Sequence, residues 1–130
     1  MSESPEDFME LSDQALQDLE IATDGGASLR SRYNRLYYAV FYAAKAALLS
    51  EGIEAKTHRG TANQVYQEFY DKRGLLEKEE AIVIQKVQKR RDMADYEVKA
   101  SFTEEDFEQL LEKSREFIRR MKKITRGETK

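Results

Sequence analysis

The chain has 130 residues, with 22 Lys and Arg against 25 Asp and Glu, no cysteine and one histidine, for a formal net charge of −3. That length supports a single domain over residues 1–130 with its own core, while the missing thiols exclude a disulfide framework, a thiolate zinc site and a cysteine nucleophile. The mildly acidic balance argues against specific binding of duplex DNA, and no apolar run approaches the ~20 residues that cross a bilayer.

Ser4-Pro5-Glu6-Asp7 reads as an N-cap, a first-turn proline and acids suited to a helix N-terminus. Phe8, Leu11, Ala15, Leu19 and Ala22 then recur at helical spacing until Asp24-Gly25-Gly26 ends the run. No basic-then-apolar targeting signal lies in these first thirty residues, so the expected location is the cytoplasm.

A second helix is predicted from about Ser28 to Ser50-Glu51-Gly52, and it is too rich in alanine and aromatics to be solvated on most of its surface. Leu29, Leu36, Val40, Ala43 and Ala47 form one stripe, which Tyr33, Tyr37, Phe41, Ala44 and Leu48 widen. Asn34, Arg35, Tyr38, Tyr42, Lys45 and Leu49 are left for the outer side, where Tyr38, Tyr42 and Leu49 form a candidate contact patch. A loop from Ile53 to about Arg59 leads to a short third helix, Gly60 to Lys72, stopped by Gly74.

The spacing predicts a fourth helix from near Leu75, with Leu76, Val83, Val87, Ala94 and Val98 on one line and Ile84 beside it. Thr103 with Glu104-Glu105-Asp106 then opens a final helix carrying Phe107, Leu110, Leu111, Ser114, Phe117, Ile118 and Met121, with residues 125–130 expected to fray. The expected architecture is an all-α, four- to five-helix up-and-down antiparallel bundle.

Arg91 breaks the apolar line of the fourth helix. A guanidinium at a buried edge must be paired or face a wet cleft, because burying it alone costs several kcal/mol. Arg91 is therefore a candidate anion ligand, and an ion pair with Asp95, Asp92 or a carboxylate from another helix is the plain alternative. The basic clusters Lys86-Lys89-Arg90 and Arg115-Arg119-Arg120 read as solvated helix faces that are also able to meet phosphates. His58 reads as a loop histidine or the start of the third helix. As the one neutral-pH base it is a weaker candidate for phosphate binding, and a single histidine excludes a two-histidine metal site within one protomer.

Three stretches occur in order: Ser31-Arg32-Tyr33 leading into Tyr37-Tyr38-Ala39-Val40-Phe41-Tyr42-Ala43-Ala44, then Lys56-Thr57-His58-Arg59-Gly60, then Arg91-Asp92-Met93-Ala94-Asp95-Tyr96. Together they resemble the HEPN domain proteins, and more narrowly their small stand-alone prokaryotic branch, over residues 28–124. The resemblance implies a helical bundle that pairs as a homodimer. In active members it implies a metal-independent ribonuclease built on an Arg-x4–6-His motif, in which the arginine holds the scissile phosphate and the histidine serves as acid or base. Arg91 matches the arginine, whereas the histidine position falls on Tyr96. A phenol near pKa 10 is only about one part in a thousand ionised at pH 7, a poor base but an available proton donor. Residues five apart on a straight helix also diverge by roughly 140°, so Tyr96 points away from Arg91 unless the helix bends or a second protomer intervenes. On this resemblance the expected site is Arg91 and Tyr96 as catalytic residues with Asp92, Asp95 and His58 toward the phosphate, and neither metal nor cofactor is expected. The expected partners are RNA or a nucleotide and a minimal nucleotidyltransferase antitoxin, with Tyr96 eligible for nucleotidylation. A non-catalytic docking or nucleotide-binding module is the alternative.

Overall fold

The computed structural model describes residues 3–128. The elements are α1 (Pro5–Asp24), α2 (Leu29–Ser50), α3 (His58–Gln64) continued by a π-helical segment (Val65–Lys72), α4 (Lys78–Ala81), α5 (Val83–Tyr96) and α6 (Glu104–Thr125), with no strand among the described residues. Contacts between elements fix their directions. Ser12 meets Ala39 and Phe8 stacks on Tyr42, so α1 and α2 are antiparallel. Arg30 at the start of α2 meets the end of α5, and Lys122 and Arg115 of α6 pair with Asp13 and Glu20 of α1 in reverse order. Arg32 near the start of α2 pairs with Glu104 at the start of α6, so these two helices run parallel. The result is an up-and-down bundle of α1, α2, α5 and α6, with α3, the π-helical segment and α4 in the connection from α2 to α5.

Helix α2 is the centre. From Arg32 to Ser50 none of its residues is exposed, and Asn34, Arg35, Tyr38, Tyr42, Lys45 and Leu49, expected on its outer side, are all half-buried. Alanines 39, 43, 44, 46 and 47 are fully buried, letting neighbouring backbones approach closely, while Tyr33 and Tyr37 fill the wider gaps. The buried charge of Arg32 is answered by a two-pronged pair with Glu104 at 2.5 and 3.1 Å and by the Phe107 ring.

Four expectations shift. Leu11 is 39% exposed and Ser12, its neighbour, is fully buried, its hydroxyl donating to the Ala39 carbonyl at 2.6 Å. A small polar side chain fits where α1 lies against the alanine face of α2. The third helix starts at His58 rather than Gly60, because the Thr57 hydroxyl accepts from the Gly60 amide and caps it there. The fourth is interrupted: Gly74 turns at φ 61°, Leu76 packs from a loop, and Ile82 (φ −93°, ψ 0°) breaks the run between α4 and α5. Val98, placed on its apolar line, lies past the end of α5 and is 91% exposed. At the C-terminus, Glu128 donates to the Lys123 carbonyl and Gly127 to that of Ile124, closing α6 with paired cap bonds; the last two residues of the tail expected to fray lie outside the described residues.

Candidate active site

The break at Ile82 sets the phase of α5, which turns Val83, Ile84, Val87 and Ala94 into the core and leaves Arg91 at the edge facing α2. The Arg91 side chain is 15% exposed, its guanidinium carbon 4.6 Å from the Tyr37 ring centroid and 5.9 Å from that of Tyr38. A desolvated cation over an aromatic face gains up to about 2 kcal/mol, so the tyrosines supply much of what water no longer does. The ion pairs with Asp92 and Asp95 named in the plain alternative are both present but loose. Nη2 donates to Asp92 Oδ1 at 3.1 Å from a carboxylate that is half in water, and Nε lies 3.7 Å from Asp95 Oδ2, too far for a hydrogen bond. Arg91 Nε is consequently buried with no partner. Burial works against the charge, but the Asp92 hydrogen bond and the neighbouring Tyr38 hold the Arg91 pKa above its ordinary value.

His58 belongs to the same cluster, although it is distant in sequence. As the first residue of α3 it lays its ring flat on Phe41, centroids 4.3 Å apart and planes within 9°, and Nδ1 makes a hydrogen bond with the Tyr37 hydroxyl. Tyr38 stands edge-on to it at 6.4 Å. Burial, then the positive charges of Arg91 and Lys45, push the His58 pKa below the usual imidazole value, and burial pushes the Tyr37 phenol up. Arg91, Tyr37, Tyr38, Phe41 and His58 thus form one patch from three elements. Tyr37 and Phe41 are the members sequence reasoning left to the core, and Tyr38 the one it left to the outer side; their signal lay in the run of adjacent aromatics from Tyr37 to Tyr42.

Tyr96 is not in this cluster. Helix α5 is continuous to Tyr96, which is 76% exposed, and the chain leaves the helix at Glu97. That exit is held by Arg30, a residue the sequence did not single out, whose guanidinium donates to the carbonyls of Ala94, Glu97, Val98 and Ala100 at 2.8 to 3.2 Å. Round α5 at 100° per residue, Tyr96 lies closer to Lys89 than to Arg91.

On that other side α5 and α6 border an open cleft of about 450 Å³ lined by Lys86, Lys89, Arg90 and Lys113 together with Met93, Asp106, Gln109 and Leu110. Several other cations sit beside carboxylates: Lys72 on Glu68, Arg115 on Glu20, Arg120 on Glu80, Lys122 on Asp13. Among the described residues these four make no ion pair, although Asp106 shares their cleft. No group of three or more His, Asp or Glu gathers to hold a metal, and no helix is long and apolar enough to cross a membrane, among the described residues.

The chain is similar to several known proteins. The chain is 31% identical over 96 residues to the UPF0332 protein of Thermotoga maritima, covering 74% of this chain and 72% of that protein. It is 34% identical over 90 residues to Putative toxin MJ0142 of Methanocaldococcus jannaschii, covering 69% of this chain and 60% of that protein. Against Putative toxin MJ0605 of the same organism it is 32% identical over 94 residues, 72% of this chain and 69% of the relative. The HEPN domain matches residues 5–124. A helical bundle centred on the aromatic helix, with a domain match running almost from end to end, shows that the chain belongs to the HEPN domain family.

Proposed function

We propose that this protein is a toxin-like HEPN protein acting on RNA or nucleotides in the cytoplasm through a phosphate site centred on Arg91. One observation carries the reading: a guanidinium held at 15% exposure on two tyrosine rings, with Nε unpartnered among the described residues, Asp92 half solvated and Asp95 beyond hydrogen-bond reach, is built to exchange weak partners for a phosphate. The names of the two Methanocaldococcus relatives favour a toxin-like role, and the unpaired cations between α5 and α6 offer a polyanion further contacts. On this reading Asp92 and Asp95 orient Arg91, and Tyr96 donates a proton or meets the strand where α5 ends. The working unit is a homodimer, with a minimal nucleotidyltransferase as antitoxin. A Tyr42→Glu change that leaves the sedimentation coefficient of the dimer unaltered removes the Tyr38–Tyr42–Leu49 patch from consideration as the dimer surface.

The second reading is a docking or nucleotide-binding module without catalysis. It is favoured by Tyr96 standing in the motif position of histidine and facing water. Metal-free cleavage of a mixed-sequence RNA, run with wild type, Arg91→Ala and Tyr96→Phe and with binding followed in parallel, separates them. Cleavage lost with Arg91→Ala supports the ribonuclease; binding lost without any cleavage supports the module. Activity and binding both unchanged in Arg91→Ala refute the phosphate site.

A further inference from the structure

Tyr37 is fully buried, and its hydroxyl has one hydrogen-bond partner among the described residues, His58 Nδ1. A buried hydroxyl that kept its proton without an acceptor would forfeit about 1–3 kcal/mol, so the proton points at Nδ1. Burial raises the phenol pKa and thereby keeps it a donor. Nδ1 is then an acceptor, which puts the ring proton on Nε2. Among the described residues His58 Nε2 has no partner and is not enclosed, so it is reachable from solvent, and its ring packs on the tyrosine pair that also carries Arg91.

We propose that His58, locked by Tyr37 as the Nε2–H tautomer, is the second anion donor of the Arg91 site and that the group it selects is a phosphate carrying two negative charges. This rests on Arg91 being a phosphate ligand, sides with the nucleotide-directed reading over strand cleavage, and adds the class of phosphate: a terminal monoester or a free phosphate, rather than the singly charged diester inside a strand. The charged groups facing the ring are Arg91 and Lys45, both cationic, and Asp92. Burial, and then two cations against one carboxylate, favour the neutral form of the empty ring. A dianion reverses that balance, and the ring takes one proton from solvent at Nδ1. Nδ1–H then donates to the Tyr37 oxygen, and the Tyr37 hydroxyl hydrogen gives up its acceptor, a cost that the dianion's attraction for the charged ring must exceed. His58 is thus a group that touches the ligand, and Tyr37 is a positioning residue that acts through it.

The chain has one histidine, so a long-range proton–nitrogen NMR spectrum of the 15N-labelled full chain contains a single imidazole pattern. Expected at pH 7.5 without phosphate is protonated Nε2 and bare Nδ1. Added inorganic phosphate should raise the His58 pKa by about one unit, which is a tenfold tighter hold on the dianion by the charged ring. Arg91→Gln should abolish the rise, and Tyr37→Phe should release the tautomer into a mixture. A proton on Nδ1 in the free protein overturns the proposal. So does a phosphate titration that moves the Arg91 side-chain resonance and leaves His58 where it was, an outcome that keeps Arg91 as a phosphate ligand. If phosphate moves neither resonance, the reading of Arg91 itself fails. Methyl phosphate and dimethyl phosphate, run side by side, separate dianion from monoanion, and equal shifts from both refute the selectivity.

Discussion

Arg30 ties off the helix that carries Arg91 and Tyr96, and its removal tests whether that end is held from α2. Two of its four bonds, to Ala94 and Ala100 at 2.8 Å, are partly buried, and those to Glu97 and Val98 are exposed. Bonds from a charged donor contribute about 1.5–3 kcal/mol each where water is excluded, and close to nothing where water replaces the donor at once. The guanidinium also lies 5.2 Å over the Phe102 ring, for roughly 0.5–1 kcal/mol. Some water reaches the freed carbonyls, so Arg30→Ala is expected to cost about 2–3 kcal/mol. An unfolding entropy near 2.1 cal/mol/K per residue makes that roughly 7–11 °C in Tm for a chain of this size. Arg30→Lys keeps the charge but not the fork, and should recover less than half. Urea and thermal unfolding give the totals. Amide exchange locates the effect, which should rise from Asp95 to Ala100 while α2 stays protected. An Arg30→Ala loss under about 0.5 kcal/mol, or full rescue by lysine, refutes the clamp.

Three further outcomes are expected. Tyr33 is fully buried with its hydroxyl unpartnered, so Tyr33→Phe should be neutral or stabilising by urea unfolding, against the usual loss of about 1 kcal/mol for a bonded hydroxyl. Ser12→Leu should cost at least about 2 kcal/mol by overpacking the alanine face of α2. Leu11→Ser, one residue away at 39% exposure, should cost under about 1 kcal/mol; the reverse ranking would mean that α1 is rotated. Burial, Arg91 and Lys45 hold the folded His58 pKa below 6.5, so its share of stability is complete above pH 6.5 and is lost as pH falls toward the folded value. Unfolding measured from pH 7.5 down to 5 should therefore show a decline that His58→Gln flattens, and an unchanged slope would place the titration elsewhere.

The fold was largely legible because α2 announces itself. Few helices carry five buried alanines among aromatics, and its outer residues proved to be the ones the spacing left over. Helix ends with a side-chain cap, at Ser4, Ser28 and Thr103, were also readable. What failed depended on partners. Leu11 and Ser12 exchange places because the surface of α2, not the hydropathy of α1, decides which residue fits. Val98 lost its place on the apolar line because Arg30, 68 residues away, satisfies the carbonyls that end α5. In the site, Arg91 stood out as a charge on a buried line, which is a local signal. The nearness of His58 was not legible, since it depends on how α3 folds back onto Tyr37 and Phe41.

The spacing between Arg91 and Tyr96 bears on how such a motif works at all. At 100° per residue, the five, six or seven steps of an Arg-x4–6-His motif place the second residue roughly 140°, 120° and 20° from the arginine, so only the longest returns it to the same face. In this chain the angle stays open: α5 remains helical through Tyr96, and Arg30 fixes the segment from Glu97 to Ala100. On the proposed reading a phosphate at Arg91 is met from its own chain by Tyr38 and His58, on α2 and α3, with Tyr37 buried behind them, while Tyr96 looks toward Lys89 and the basic cleft. A motif that tolerates three spacings with three different directions is poorly explained by one helix aligning both residues on one ligand. It is better explained if the second residue works toward a neighbouring surface, and that favours the homodimer proposed above, in which each α5 offers its arginine to one side and its exposed phenol to the other.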